Sequence, residues 1–415
     1  MVSLLFLASL LFSGNVVAEN WSNWRGPTGN GVVADSHQYP TEWSKASGIL
    51  WQVKLPEHAG STPAVWGDRI FLTTPKDGVN TAMCFNAIGK PLWETALGEE
   101  VGGKHKKASG SNPSPVTDGD LVFVYFKSGD LAALTTDGDI KWQKNLQKDI
   151  AKDTLWWDLG TSPVLTKNHV VVACIQSDES YVAGFDKQSG EMVWKVDRNM
   201  DAPSEANQSY STPVVVDLPN GDQQLVILGA DHVTGHDATD GQELWRVGGL
   251  NPDNEMYFRS IASAAVADGI AVAPYARGDT LTAIRLGGSG DVTKSHVLWT
   301  LDEHSADVPT PIAIDGKTYI CGDKGKISCL ETKTGDVVWE KELKRNRNQY
   351  SSSPVLVNGK IYVTREDAVT SVLDAETGKL LATNELGGEF TVATPVFVGG
   401  RILIRTSEFL YCVGK

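Results

Sequence analysis

Apolar residues in this chain come in short β-rich runs separated by Gly, Asn and Asp. No stretch holds the helical period long enough for a substantial helix. Residues 350–386 display the unit most cleanly. Ser353-Pro354-Val355-Leu356-Val357 predicts a first strand, and Asn358-Gly359 supplies the residues of a tight hairpin turn. Lys360–Thr364 predicts a second strand and residues 369–373 a third. Thr377-Gly378 then turns the chain into a fourth strand around Leu380 and Leu381. The pattern recurs. Its opening proline stands at Pro63, Pro115, Pro163, Pro213, Pro311, Pro354 and Pro395, about 47 residues per unit when one unit without the proline is counted. Its last turn and strand read Gly-x-x-x-Trp at Gly89/Trp93, Gly138/Trp142, Gly190/Trp194, Gly241/Trp245 and Gly335/Trp339. A four-stranded unit repeated at this period predicts an all-β chain, a β-propeller with one antiparallel blade per unit.

The recurring Trp falls on each blade's outer strand, where a large ring can cover the gap to the neighbouring blade. Trp299 takes that place in the fifth unit, and Ala382 stands there in the seventh. One such residue per blade is what repeat packing requires, so the set reads as packing and not as a substrate platform. The last unit has strands at 392–398, 401–405 and 409–413 and no fourth before Lys415. Residues 49–55 resemble an isolated fourth strand, with Trp51 matching Trp299 and Trp339. Joining them predicts eight blades, closed by an N-terminal strand that completes the last one and removes two exposed sheet edges.

Residues 1–18 read as a secretory signal peptide, with an apolar stretch at 4–12 and Val16-Val17-Ala18 as the cleavage pattern. That stretch is too short to span a bilayer, and no Cys precedes Cys84 to serve as a lipid-attachment residue. The expectation is a periplasmic or secreted monomer without membrane insertion. Residues 19–48, with Trp21, Trp24 and Trp43 among Gly, Pro and Asn, are expected as an N-terminal decoration, and 49–415 as the propeller. A formal charge of −14 disfavours nucleic acid and anionic membrane surfaces. The basic run Lys104-His105-Lys106-Lys107 is expected as a solvated loop between blades one and two. Cys84, Cys329 and Cys412 share one repeat position with Ala133, Ala283 and Gly235, which marks a tight buried slot. Cys321 and Cys329 lie on adjacent strands of one hairpin, and whether they form a disulfide stays open.

The stretches Asp237-Ala238-Thr239-Asp240-Gly241 before Trp245 and Glu331-Thr332-Lys333-Thr334-Gly335 before Trp339 resemble the repeat of the pyrroloquinoline-quinone-like propellers. That superfamily includes quinoprotein alcohol dehydrogenases and an outer-membrane β-barrel assembly lipoprotein. Trp24-Arg25-Gly26-Pro27-Thr28-Gly29-Asn30-Gly31 resembles the start of secreted members found in planctomycete-type bacteria, as does residues 287–299. The resemblance implies fold and compartment. It implies no reaction. The quinoprotein enzymes commonly carry two adjacent cysteines and long insertions around the funnel, and this chain has neither.

Function is therefore sought in the loops that join one blade's outer strand to the next blade's inner strand, around the channel mouth. Trp156 and Trp157 enter blade three; Asn207, Gln208 and Tyr210 enter blade four. Tyr257 and Arg259 enter blade five, and Arg347, Asn348 and Tyr350 blade seven. Aromatic, amide and guanidinium groups suit a protein partner or a polar polymer such as a glycan. The alternative for the same residues is that they satisfy backbone ends in a water-filled channel. His232 and His236 are expected as a hairpin pair, since a metal site needs ligands the sequence does not supply. Residues 251–255 are expected as a polar turn, and 287–290 as a flexible insertion before the fifth outer strand. No catalytic residue and no cofactor is expected, so the chain is expected to be a non-catalytic binding or scaffolding module. The alternatives are a quinone-dependent oxidoreductase with pyrroloquinoline quinone and calcium, acting on sugars or alcohols, and more distantly a carbohydrate-cleaving propeller.

Overall fold

A computed structural model of the chain describes residues 20–33 and 37–415; the leader expected at 1–18 lies outside the described residues. Eight antiparallel four-stranded sheets follow one another in chain order, the eight-bladed β-propeller read from the repeat. Among the described residues helix is confined to single turns such as Leu146–Asp149 and Thr293–His296. Ile49–Lys54 pairs antiparallel with Phe409–Val413 and sets Trp51 opposite Cys412. The eighth blade thus takes three strands from one end of the chain and its outer strand from the other. That pairing locks the ring.

Backbone hydrogen bonds hold each blade together, and the Gly and Trp positions hold one blade to the next. A β-carbon built on Gly89, Gly138 or Gly190 would lie 2.7, 2.6 or 2.5 Å from the indole of Trp51, Trp93 or Trp142 in the preceding blade. Gly241 and Gly378 meet Trp194 and Trp339 at 2.5 Å in the same way. The ring therefore rests on bare peptide. Its Nε1–H donates to a carbonyl of that same turn: Trp93 to Thr136 at 2.9 Å, Trp142 to Lys187 at 2.9 Å and Trp339 to Ala375 at 3.0 Å. Gly-x-x-x-Trp is thus two halves of two joints, the Gly receiving the previous blade and the Trp reaching the next.

Beneath each indole the third strand offers a small residue. Cys84 faces Trp93, Ala133 faces Trp142, Gly235 faces Trp245 and Cys329 faces Trp339. The seventh blade exchanges the volumes, with Val372 facing Ala382. Trp43 of the N-terminal segment joins the same apolar cluster, its ring parallel to Tyr362 at a centroid distance of 6.5 Å. All five cysteines are free and buried. Cys321 faces Ile327 and Cys329 faces Tyr319, so the two thiols are not opposite one another and the open bridge resolves to none.

One expectation needs correction. The glycine-rich stretch at 287–290 is ordered: Gly290–Asp291 adds a parallel fifth strand to blade four, opposite Trp245 and Arg246. It covers the fully buried Trp245 where blade five lacks the receiving Gly turn. The segment expected as an N-terminal decoration packs across the first hairpin turns as a floor. Asn20 accepts the Gly67 N–H of blade one, and Ser22 the Thr117 N–H of blade two. Val32–Val33 pairs in parallel with the inner strand of blade seven. The guanidinium of Arg25 donates to Pro311 O and Pro354 O, each at 2.8 Å, so one side chain ties blades six and seven. Burial among carbonyl dipoles, with no carboxylate beside it, pushes that guanidinium down to about 9.

Candidate functional site

The residue before each blade's opening position is Ser or Thr in all eight units. The fold turns that regularity into a belt around the channel. Thr62 N–H donates to Ser114 Oγ, Ser114 N–H to Ser162 Oγ and Ser162 N–H to Thr212 Oγ1, at 2.9–3.0 Å. Thr212, Ser263 and Thr310 pass the chain on to Ser353, and Thr394 N–H donates back to Thr62 Oγ1. Seven of the eight hydroxyls, all but that of Thr394, accept from the neighbouring blade, so the belt fixes the spacing of the inner strands. It encloses a cavity of about 450 Å³ with the Trp24 ring among its lining groups. Residues 20–33 lie at the end of the channel that holds the first hairpin turns, and the blade-entry loops frame the other end.

Three ion pairs organise that mouth. Lys127 Nζ lies 2.5 Å from Asp158 Oδ1, both side chains almost wholly buried. The same carboxylate accepts the N–H groups of Lys104 and His105. The basic run is therefore not simply a solvated loop. It is pinned to blade three by Asp158, and Lys107 Nζ reaches Glu366 Oε1 of blade seven at 2.6 Å. On the other side, Arg259 holds Asp307 in a bidentate pair at 2.8 and 2.9 Å. Asp323 accepts the N–H of Asp307 at 2.7 Å and that of Val308 at 3.2 Å, which presents Asp307 to the channel. Burial, joined by the Asp307 charge, pushes the Asp323 carboxyl up to about 6.

The structure separates the residues expected at the site. Trp157, Tyr210 and Arg259 line the channel mouth. Gln208 is fully buried and works as a bracket: its Oε1 accepts Trp156 N–H and Tyr210 O–H, while Tyr210 Oη accepts Trp157 N–H. Asn207 contacts Ser177 O, and Asn348 donates to Asp367. Tyr350 is buried in the core between blades six and seven, and Arg347 is exposed. Trp156 and Trp157 remain 48% and 45% exposed, and Met256 and Tyr257 49% and 52%. Glu205, which the sequence reading did not single out, joins their loops. It accepts Trp157 Nε1–H at 2.7 Å and Arg277 Nη2 at 3.0 Å, with Arg259 Nε 3.6 Å away. Four large apolar groups thus share one sector of the rim.

Among the described residues no group of three or more His, Cys, Asp and Glu is arranged to hold a metal ion. His232 Nδ1 meets Ala230 O, and His236 is bonded on both ring nitrogens, to Gly241 O and Thr234 Oγ1. Burial pushes His236 down to about 4. No helix of the described residues is long and apolar enough to cross a membrane.

A family model described as outer membrane protein assembly factor BamB matches residues 84–273 and 290–411. The chain is 24% identical over 267 residues to the outer membrane protein assembly factor BamB of Yersinia pestis; the match spans 61% of this chain and 61% of that relative, less than two thirds of its length. The solved structure of BamB from Moraxella catarrhalis is similar with a TM-score of 0.62 at 16% identity, over 88% of this chain and 97% of that one. A europium-containing methanol dehydrogenase is similar with a TM-score of 0.72 at 10% identity, over 96% and 98%. At such identities the two structural likenesses carry the fold alone.

Proposed function

The chain belongs to the family of the outer membrane protein assembly factor BamB, and from that premise we propose that it is an exported, non-catalytic propeller whose channel-mouth face docks a protein partner in the cell envelope. The observation that carries this reading is the rim sector of Trp156, Trp157, Met256 and Tyr257. Large rings with few rotors lose little entropy on docking, and Trp, Tyr and Arg dominate the energetic centres of protein interfaces. The backbone N–H groups of Trp156 and Trp157 are fixed by Gln208 and Tyr210, and Glu205 anchors the Trp157 indole. The surface is therefore organised before a partner arrives.

The oxidoreductase reading draws on the dehydrogenase fold likeness. A quinone with calcium needs carboxylate oxygens free for the ion and cations free for the cofactor's acids. Here Asp158, Asp307 and Glu366 are already paired with Lys127, Arg259 and Lys107. The residues at the mouth do not fit that group, which favours the binding module.

The test uses a photo-crosslinking residue at position 156 or 257, with position 88 on an outer turn as the control. Adducts with one envelope protein from 156 and 257 but not 88, lost in Trp157→Ala, are expected. Equal labelling from all three sites refutes rim docking. Incubation with pyrroloquinoline quinone and calcium, then gel filtration, is the second arm. Retained quinone absorbance with alcohol-dependent dye reduction overturns the non-catalytic reading.

A further inference from the structure

We propose that the channel itself is a second binding site, one that takes a neutral sugar ring, either free or at the end of a glycan. The inference can be tested apart from rim docking, because Trp156, Met256 and Tyr257 do not line the channel, although Trp157 belongs to both.

Size comes first. The cavity, about 450 Å³, falls within the range of small-molecule pockets and excludes a folded domain. Residues 20–33 cross the far end of the channel, so entry is from the mouth.

Hydrogen-bonding capacity comes second. Seven hydroxyls of the belt each use one lone pair on a neighbouring N–H, from Ser114 through Ser353 and back to Thr62. A hydroxyl has two lone pairs and one proton. No acceptor among the described residues takes the belt protons, so each of these seven hydroxyls keeps one donor and one acceptor for the channel, and Thr394 keeps its donor as well. Vicinal sugar hydroxyls need that same double capacity, whereas an ammonium group only donates and a carboxylate only accepts.

Charge comes third. The fixed charges at the mouth cancel in pairs: Lys127 with Asp158, Arg259 with Asp307, Lys107 with Glu366. An ion entering at the mouth meets only paired charges there and loses its own hydration, and the Arg25 guanidinium at the floor is spent on the carbonyls of Asn30, Pro311 and Pro354, so a neutral ligand is favoured. Aromatic surfaces complete the match. Trp24, Trp157 and Tyr210 line the space, aromatic side chains of the kind that pack against the C–H side of a sugar ring.

Gly160 supplies a clean test. It lines the channel, its φ is not in the left-handed region, and a β-carbon there meets Tyr210 O at 3.5 Å, an ordinary contact. Gly160→Leu therefore adds bulk at the channel wall without removing a belt hydroxyl. Saturation-transfer NMR and calorimetry on the purified protein would use D-glucose, N-acetyl-D-glucosamine, maltotriose, chitotriose and inorganic phosphate. At least one saccharide is expected to bind with Kd of about 1 mM or tighter. Gly160→Leu is expected to weaken it at least about tenfold with unchanged Tm, and Ile88→Ala on an outer turn to leave it intact. Tighter binding of a trisaccharide than of its monosaccharide points to a glycan end; the reverse points to a free sugar. Saccharide binding that Gly160→Leu does not alter overturns the site. So does silence from every saccharide at about 10 mM, roughly the weak limit of useful affinity. Inorganic phosphate binding more tightly than any sugar overturns the neutral class. None of these outcomes moves the crosslinking test at the rim.

Discussion

The joint between blades can be weighed at Gly138. Its φ of 93° is in the left-handed region, where a β-carbon costs about 1 kcal/mol. That β-carbon would also lie 2.6 Å from Trp93 Cδ2 and 2.8 Å from Cγ, closer than real atoms approach. The indole must move. It then loses the 2.9 Å hydrogen bond from Nε1 to Thr136 O, about 1 kcal/mol, because the carbonyl faces the same turn. Displaced packing between the blades adds about 1–2 kcal/mol. Gly138→Ala should therefore cost about 3–4 kcal/mol in all. Gly269→Ala is the matched control, since Gly269 has a φ of 72° and nothing within 4 Å of its built β-carbon. It should cost only the backbone share, about 1 kcal/mol. Urea unfolding, followed by far-ultraviolet circular dichroism and by Trp fluorescence, measures both. A double-mutant cycle with Trp93→Ala should give a coupling of about 2–3 kcal/mol, since without the ring Gly138→Ala keeps only its backbone cost. The reasoning fails if the two Gly variants cost the same, or if Trp93→Ala leaves the cost of Gly138→Ala unchanged.

Two further outcomes follow from the same structure. Asp323 is held at about 6 by burial, above its ordinary carboxyl value, so its neutral form stabilises the fold; that contribution is complete below the ordinary value and is lost as pH rises through 6. Asp323→Asn removes this titration, so the Tm of the variant relative to the parent should climb between pH 5 and pH 7, and a pH-independent difference in scanning calorimetry would refute it. Deleting residues through 56 removes the strand paired with Phe409–Val413 and the channel floor. Gel filtration should show aggregates, and a soluble monomer with unchanged Tm would contradict the closure.

What the sequence determined alone is whatever the backbone demands locally and repeats. A hairpin turn, a left-handed Gly, a strand edge and the Trp four residues on are each readable in one unit, and their recurrence counts the blades. Even the closing strand was legible, because Trp51 repeats a local pattern. The hydroxyl belt was present as Ser or Thr before each opening position, but its bonds run between neighbouring blades and have no signature within a unit. The site depended wholly on tertiary structure. Lys107 and Glu366 are 259 residues apart, and Glu205 gathers groups from three loops. Tyr350 has the same aromatic character as Tyr257, yet one is buried in the core and the other stands on the rim. Residue type carries hydrogen-bonding and apolar capacity. Which capacity is spent inside the fold and which is left for a ligand is decided only when the ring closes and neighbouring blades meet.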